Sequence, residues 1–112
     1  MKIIFYQRSC SGCAKPRKLL GEHSISPEVL DVRKNPISTT DSIKLVRKLK
    51  TVYGVSGKKI VSYDLKKDKP SDDELKKLII GREGKMRAPC LQVGEIFIGG
   101  FDETLYKKVL RI

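Results

Sequence analysis

Cys10-Ser11-Gly12-Cys13 is the part of the chain with the most direct capacity for chemistry. Two cysteines three residues apart lie on one helical face, so their sulfurs can meet at bonding distance. A thiol at a helix start sits where unpaired backbone N–H groups and the helix dipole favour negative charge. Its pKa falls, and near neutral pH it becomes the thiolate that attacks disulfides. In this redox reading Cys10 attacks and forms a mixed disulfide with the substrate. Cys13, one turn along and more buried, then resolves it and releases the reduced product. Arg8, Lys15 and Arg87 are the cations suited to lowering the Cys10 pKa and drawing in an anionic partner.

Two other uses of the pair stay open: half of a metal site, or an inert pair. A zinc site needs two further ligands, and His23 and Cys90 are the only other His and Cys residues in the sequence. No second C-x-x-C and no H-x-x-x-H accompanies them, so no metal is expected. His23 suits a helix C-terminus, where its charge meets the last carbonyls. Cys90, just after Pro89 in an expected strand, suits a small buried core position, with a third redox partner as the alternative. Tyr6 and Phe101 read as core or rim packing.

The elements that must position the pair are legible on both sides of it. Residues 2–6, with Ile3-Ile4-Phe5-Tyr6, read as a short buried strand. A helix over residues 12–22 puts Cys13, Pro16, Leu19 and Leu20 on one side. Pro16 costs little if regular helix begins only near Cys13, because it then falls in the first turn. A C-x-x-C between a first strand and a first helix is where a thioredoxin-type dithiol sits.

A second strand fits residues 28–32. Ser38-Thr39-Thr40-Asp41 resembles an N-cap, and the helix it opens carries Ile43, Leu45, Val46 and Leu49. Residues 51–65 carry a hairpin signal, with Val52, Tyr53 and Val55 before Ser56-Gly57 and Ile60, Val61 and Tyr63 after it. Ser71-Asp72-Asp73-Glu74 is a capping box, followed by Leu75, Leu78 and Ile79 and a stop at Gly81. Residues 82–87 read as a basic loop. Strands at 90–93 and 96–98 flank a tight turn at Gly94-Glu95, Gly99-Gly100 breaks the last strand, and Asp102-Glu103 opens a final helix with Leu105, Val109 and Leu110. The predicted order is βαβα, a hairpin, α, then ββα.

At 112 residues and 39% hydrophobic content the chain makes one domain with a real core. Seven aromatic residues and no tryptophan make that core mainly aliphatic. No apolar run approaches membrane-spanning length and no signal pattern stands at the front, so a cytoplasmic protein without a membrane partner is expected. Three cysteines in a reducing compartment argue against a disulfide framework. The net charge of +11 is spread out: eleven basic and four acidic residues in 1–50, thirteen and nine in 51–112. No nucleic-acid signature accompanies it, and the lysines fall mostly on polar helix faces, which leaves a general attraction for anionic partners.

Phe5-Tyr6, Cys10-Ser11-Gly12-Cys13-Ala14-Lys15, Leu19-Leu20 and Asp31-Val32-Arg33-Lys34-Asn35-Pro36-Ile37-Ser38 together resemble the arsenate reductase/Spx family of the thioredoxin-like superfamily. The segment from Arg87-Ala88-Pro89-Cys90 to Gly99-Gly100-Phe101-Asp102-Glu103 resembles the close of that family, and of glutaredoxins, with Gly-Gly ten residues after the proline. The resemblance covers the two ends of the chain; the hairpin in the middle departs from it. It implies an α/β thioredoxin-like fold (βαβαββα) with an inserted β-hairpin and an extra helix. It implies a cis Ala88–Pro89 bond set against Cys10, with the Ala88 backbone open to a substrate strand; an ordinary trans proline is the alternative from residues alone. Gly99, Gly100 and Asp102 would cradle the charged end of a glutathione-like peptide, or else form only a strand exit.

Arsenate chemistry in this family uses one catalytic cysteine and several arginines that grip the oxyanion bidentately. Here Ala14 and Lys15 replace an arginine, and Arg87 stands one residue before its expected place. Cys13 matches the dithiol, Spx-like arrangement. The resemblance therefore implies a thiol–disulfide oxidoreductase, monomeric and without a bound cofactor, acting on a thiol or disulfide protein or on glutathione. The alternatives are a redox-sensing regulator that binds a macromolecule such as RNA polymerase, as Spx does, and an arsenate reductase with an altered oxyanion pocket.

Overall fold

The computed structural model describes residues 3–7, 14–32, 34–56, 59–81 and 84–111. Six strands form one sheet: β1 (Ile3–Gln7), β2 (Glu28–Asp31), β3 (Thr51–Ser56), β4 (Lys59–Asp64), β5 (Cys90–Val93) and β6 (Ile96–Gly99), in the order β2-β1-β5-β6-β3-β4. The helices are α1 (Ala14–Glu22), α2 (Thr39–Arg47), α3 (Asp72–Ile79) and α4 (Glu103–Leu110). β1 and β2 run parallel through the α1 crossover, and β5 pairs antiparallel with both β1 and β6. That four-stranded part, with α1, α2 and α4, is the thioredoxin-like plan. The β3–β4 hairpin and α3 are the insertion, attached by parallel pairing of β3 on β6.

The apolar strands follow from burial on both sheet faces. In β1, Ile4 and Tyr6 join the core on one side, with Val52, Phe97, Val46, Leu75 and Ile79, the last three brought by α2 and α3. Phe5 joins the other, with Leu91, Ile98, Leu19, Leu105 and Tyr106 from β5, β6, α1 and α4. Successive strand residues point to opposite faces, so one short run supplies both cores. Pro16 is buried in the first turn of α1, where its missing N–H leaves no helical bond unmade. No helix among the described residues is long and apolar enough to cross a membrane.

Local chemistry sets the helix starts. Ser38 caps α2 by accepting from the Asp41 N–H at 3.2 Å, and the buried Ser42 hydroxyl donates to the Ser38 carbonyl at 2.7 Å. Ser71 and Glu74 form a reciprocal capping box on α3. Several expected boundaries move. β1 continues through Gln7, β2 ends at Asp31, and β6 continues through Gly99, which pairs with both Cys90 and Gly54. α3 stops not at a glycine cap but at Ile80, which turns extended (φ −104°, ψ 134°) to bridge Met86. The expected basic loop thus contains a buried residue, Met86, and a second bridge from Lys85 to Ser38.

Glu74 also receives the Tyr63 hydroxyl from β4, which ties the hairpin to the start of α3. The Ser71 N–H, then Tyr63, hold the Glu74 carboxyl below the usual carboxylate range. A lowered folded pKa contributes stability above the unfolded value, about 4.3 for Glu, which is lost as pH falls through the folded value. Glu74→Gln should therefore melt below wild type at pH 6, and the gap in Tm should narrow as pH drops below about 4. Thermal melts followed by circular dichroism from neutral to acid pH check this. A gap that stays constant would assign the loss to geometry alone.

Candidate functional site

β1 delivers the chain to Gln7, and described structure resumes at Ala14, the first residue of α1. Arg8, Cys10 and Cys13 lie between these points, outside the described residues. Tyr6 pairs with Cys90 in the antiparallel ladder, which brings Pro89 level with Gln7 at the end of the sheet. The Gln7 side-chain Oε1 is buried there and has no hydrogen-bond partner among the described residues. Sequence reasoning passed over Gln7, because a polar residue closing an apolar strand reads as a simple exit to solvent.

The Ala88–Pro89 peptide is cis, as the resemblance implied. Its neighbours hold it from three sides. The Arg87 N–H donates to the Ile79 carbonyl at 2.9 Å, the Pro89 carbonyl accepts from the Gly100 N–H at 2.9 Å, and the Cys90 thiol donates to the Arg87 carbonyl at 2.9 Å. Ala88 itself is half-buried, and among the described residues its N–H and C=O have no hydrogen-bond partner. A braced backbone whose groups are unpaired among the described residues is what an incoming peptide strand requires.

Arg87 is half-buried, and its Nη1 donates to the Val55 carbonyl at 3.1 Å at the end of β3. A side chain expected to act on Cys10 is thus partly committed to bracing the inserted hairpin. Gly99 and Gly100 are both buried. A Cβ on Gly99 would run into the Leu78 carbonyl. Gly100, at φ +107°, lets the Val55 carbonyl and the Arg87 guanidinium approach to within 3.0 and 3.3 Å of where its Cβ would be. The Gly100 N–H, expected to meet a ligand, is spent on Pro89. The pair serves the junction of β3, β6 and α3, a role visible only once the insertion is in place.

Asp102 caps α4: its Oδ1 accepts from the Leu105 N–H at 2.8 Å, which leaves one carboxylate oxygen for other use. Tyr106, fully buried, donates its hydroxyl to the Gly100 carbonyl at 2.8 Å and meets the Phe101 ring edge-on at 4.9 Å. It fixes the Gly100–Asp102 corner. The sequence signal was an apolar helix position occupied by a residue with a polar tip. Lys15 is exposed on the first turn of α1 and lines a groove of about 200 Å³ with Lys18, Leu19, Glu22, Phe101 and Glu103.

Cys90 is fully buried beside Tyr6, in the core that α2 and α3 cover. Burial first, then Cys90 and Glu28, push the Tyr6 hydroxyl up to about 12, and its ring centroid lies 5.8 Å from that of Phe97. The core position expected for Cys90 and Tyr6 is what the fold provides. His23 is exposed just past α1, and among the described residues no three His, Cys, Asp or Glu side chains group as metal ligands would.

No family model matches the chain, and no curated protein matches it. Among solved structures the chain is similar to a crystal structure of a protein from Bacteroides fragilis described as ArsC family related. The two are 21% identical over 97% of this chain and 99% of that one, with a TM-score of 0.54. That likeness carries the fold, which is thioredoxin-like in its arsenate reductase-like form.

Proposed function

We propose that the chain is a thiol–disulfide oxidoreductase acting through Cys10 and Cys13. The observation that carries this reading is the backbone at Ala88, braced on three sides and unpartnered among the described residues, level with the end of the strand that leads to Cys10. A substrate peptide lying along Ala88 as an added strand brings its sulfur to the thiol segment. The Cys10 thiolate attacks one sulfur of the substrate disulfide, the second leaves as a thiolate and takes a proton, and a mixed disulfide remains. The Cys13 thiolate then attacks Cys10, which gives a Cys10–Cys13 disulfide and a fully reduced substrate. Two electrons from glutathione or a thioredoxin-type dithiol restore the pair. Arg8, Lys15 and Arg87 favour the thiolate, while Gly99, Gly100 and Asp102 act by shaping the corner behind it.

Turnover tests the proposal. Insulin disulfides, or a glutathione mixed disulfide, are offered with catalytic protein, and NADPH consumption is followed through glutathione reductase or thioredoxin reductase and thioredoxin. Sustained consumption over many equivalents is the expected result. One equivalent of oxidation followed by a change in affinity for a macromolecule would overturn it in favour of a redox sensor. NADPH consumption that depends on arsenate and not on a disulfide would overturn it in favour of arsenate reduction.

A further inference from the structure

The inserted hairpin has a consequence at the opposite pole of the sheet, the length of β5 away, about 10 Å. β4 packs on the core under α2 and α3 through Val61 and Tyr63, but no residue of β4 joins the core under α1 and α4. Ile60, on that second face opposite Val55, is 44% exposed. The sheet was widened by two strands on a face whose helices were not extended to match. A cleft of about 460 Å³ lies between the last turn of α4 and the start of β3. Clefts of that size take small organic molecules.

The lining has two parts. Tyr53, Ile96 and Val109 supply an apolar floor, with the Tyr53 ring half-exposed. Lys50, Lys108 and Arg111 stand on the rim with one acid, Glu95. Glu95 is engaged by Lys50 at 2.9 Å, and among the described residues Lys108 and Arg111 have no carboxylate partner. Two cations with no carboxylate partner among the described residues, beside an apolar floor, fit a dianion attached to a flat ring, and the guanidinium fork matches phosphate oxygens. Arg111 adds a second point. It caps α4 in the left-handed region (φ 60°, ψ 46°), where glycine is favoured, and its N–H donates to the Lys107 carbonyl.

We infer that this cleft binds an aromatic phosphate ester, with the ring over Tyr53 and the phosphate between Lys108 and Arg111. The inference is independent of the thiol chemistry, and its test contains no redox step.

The test is an NMR titration of the ¹⁵N-labelled full chain with adenosine monophosphate and with 1-naphthyl phosphate. Adenosine, 1-naphthol and inorganic phosphate serve as the separated halves. Saturable shifts at Thr51, Tyr53, Glu95, Ile96 and Lys108 are expected, with each half binding about tenfold or more weakly than the intact ester. Saturation by only one ester supports the site and identifies its ring as purine or simple aryl. Lys108→Glu and Arg111→Gly should each weaken binding about tenfold. Arg111→Gly relieves a left-handed position, so its Tm should equal or exceed that of wild type while binding weakens, which separates ligand contact from structural support. Failure of both esters to saturate overturns the inference. So do inorganic phosphate binding as tightly as the esters, shifts centred on Lys15 and Arg87, or unchanged affinity in Arg111→Gly.

Discussion

Gly99→Ala should lower the stability of the fold by about 3 kcal/mol, the upper end of what overpacking by one methyl group costs. Gly99 closes β6 between Cys90 and Gly54, inside the sheet, so its backbone cannot move without opening two ladders. The added Cβ would meet the Leu78 carbonyl, a backbone atom in the last turn of α3. Relief requires lifting α3, which carries the buried Leu75, Leu78 and Ile79. With a typical total of 5–15 kcal/mol, the loss is a large fraction of what holds the chain folded.

A control is built into the same contact. A Cβ on Gly54 would meet the Leu78 side chain, with Cβ and Cγ at 2.8 and 2.9 Å, and a side chain can be cut back. Leu78→Ala alone should cost about 3 kcal/mol as a cavity. Combined with Gly54→Ala it should cost less than the sum, because the methyl enters space that the leucine vacates. Combined with Gly99→Ala it should cost nearly the sum, because the carbonyl stays. Urea melts of the four-member cycles read both couplings. Wild-type stability in Gly99→Ala would show that α3 does not sit as closely on β6 as the backbone geometry requires.

The contrast between these glycines shows which parts of the fold the chain announces. Ser71-x-x-Glu74, Gly94-Glu95 and the paired apolar runs around Ser56-Gly57 are local signals. Each bonds within a few residues of itself, and each lies where it was expected. Parallel pairing of β3 with β6 joins residues some forty-five positions apart through no local rule, so neither the strand order nor the fit of Leu78 over Gly54 and Gly99 was legible. The Lys85 and Met86 bridges escaped for a different reason: a single paired residue has no period to detect. Gly99-Gly100 reads either as a ligand cradle, because glycine offers an unshielded N–H, or as a strand exit. The same absence of a side chain admits a close backbone neighbour, a use that only the inserted α3 and β3 reveal. In the candidate site the Asp102 cap follows from residue type and the cis-proline corner from the family resemblance, whereas the bracing by Arg87 and Tyr106 depends on tertiary contacts with no sequence spacing of their own.

Cys10→Ser should reduce disulfide turnover by about a thousandfold or more, since a serine hydroxyl supplies no thiolate. Cys13→Ser should behave differently. Cys10 still attacks, but nothing within the chain releases the product, so the variant should accumulate as a mixed disulfide with a dithiol substrate and turn over only where an added thiol resolves it. The third cysteine makes the labelling experiment self-controlled. Cys90 is fully buried and hydrogen-bonded to the Arg87 carbonyl, so iodoacetamide should reach it only after denaturation. Alkylation of the native protein then reports the other two thiols alone, and comparison with Cys10→Ser isolates the Cys10 rate. That rate should be half-maximal at a pH below about 8.5, the unperturbed thiol value, because the midpoint marks the pKa. A midpoint at or above that value would remove the basis for Cys10 as nucleophile. Protection of both thiols until a chelator is added would mean that the pair holds a metal, and electron transfer through it would have to be abandoned.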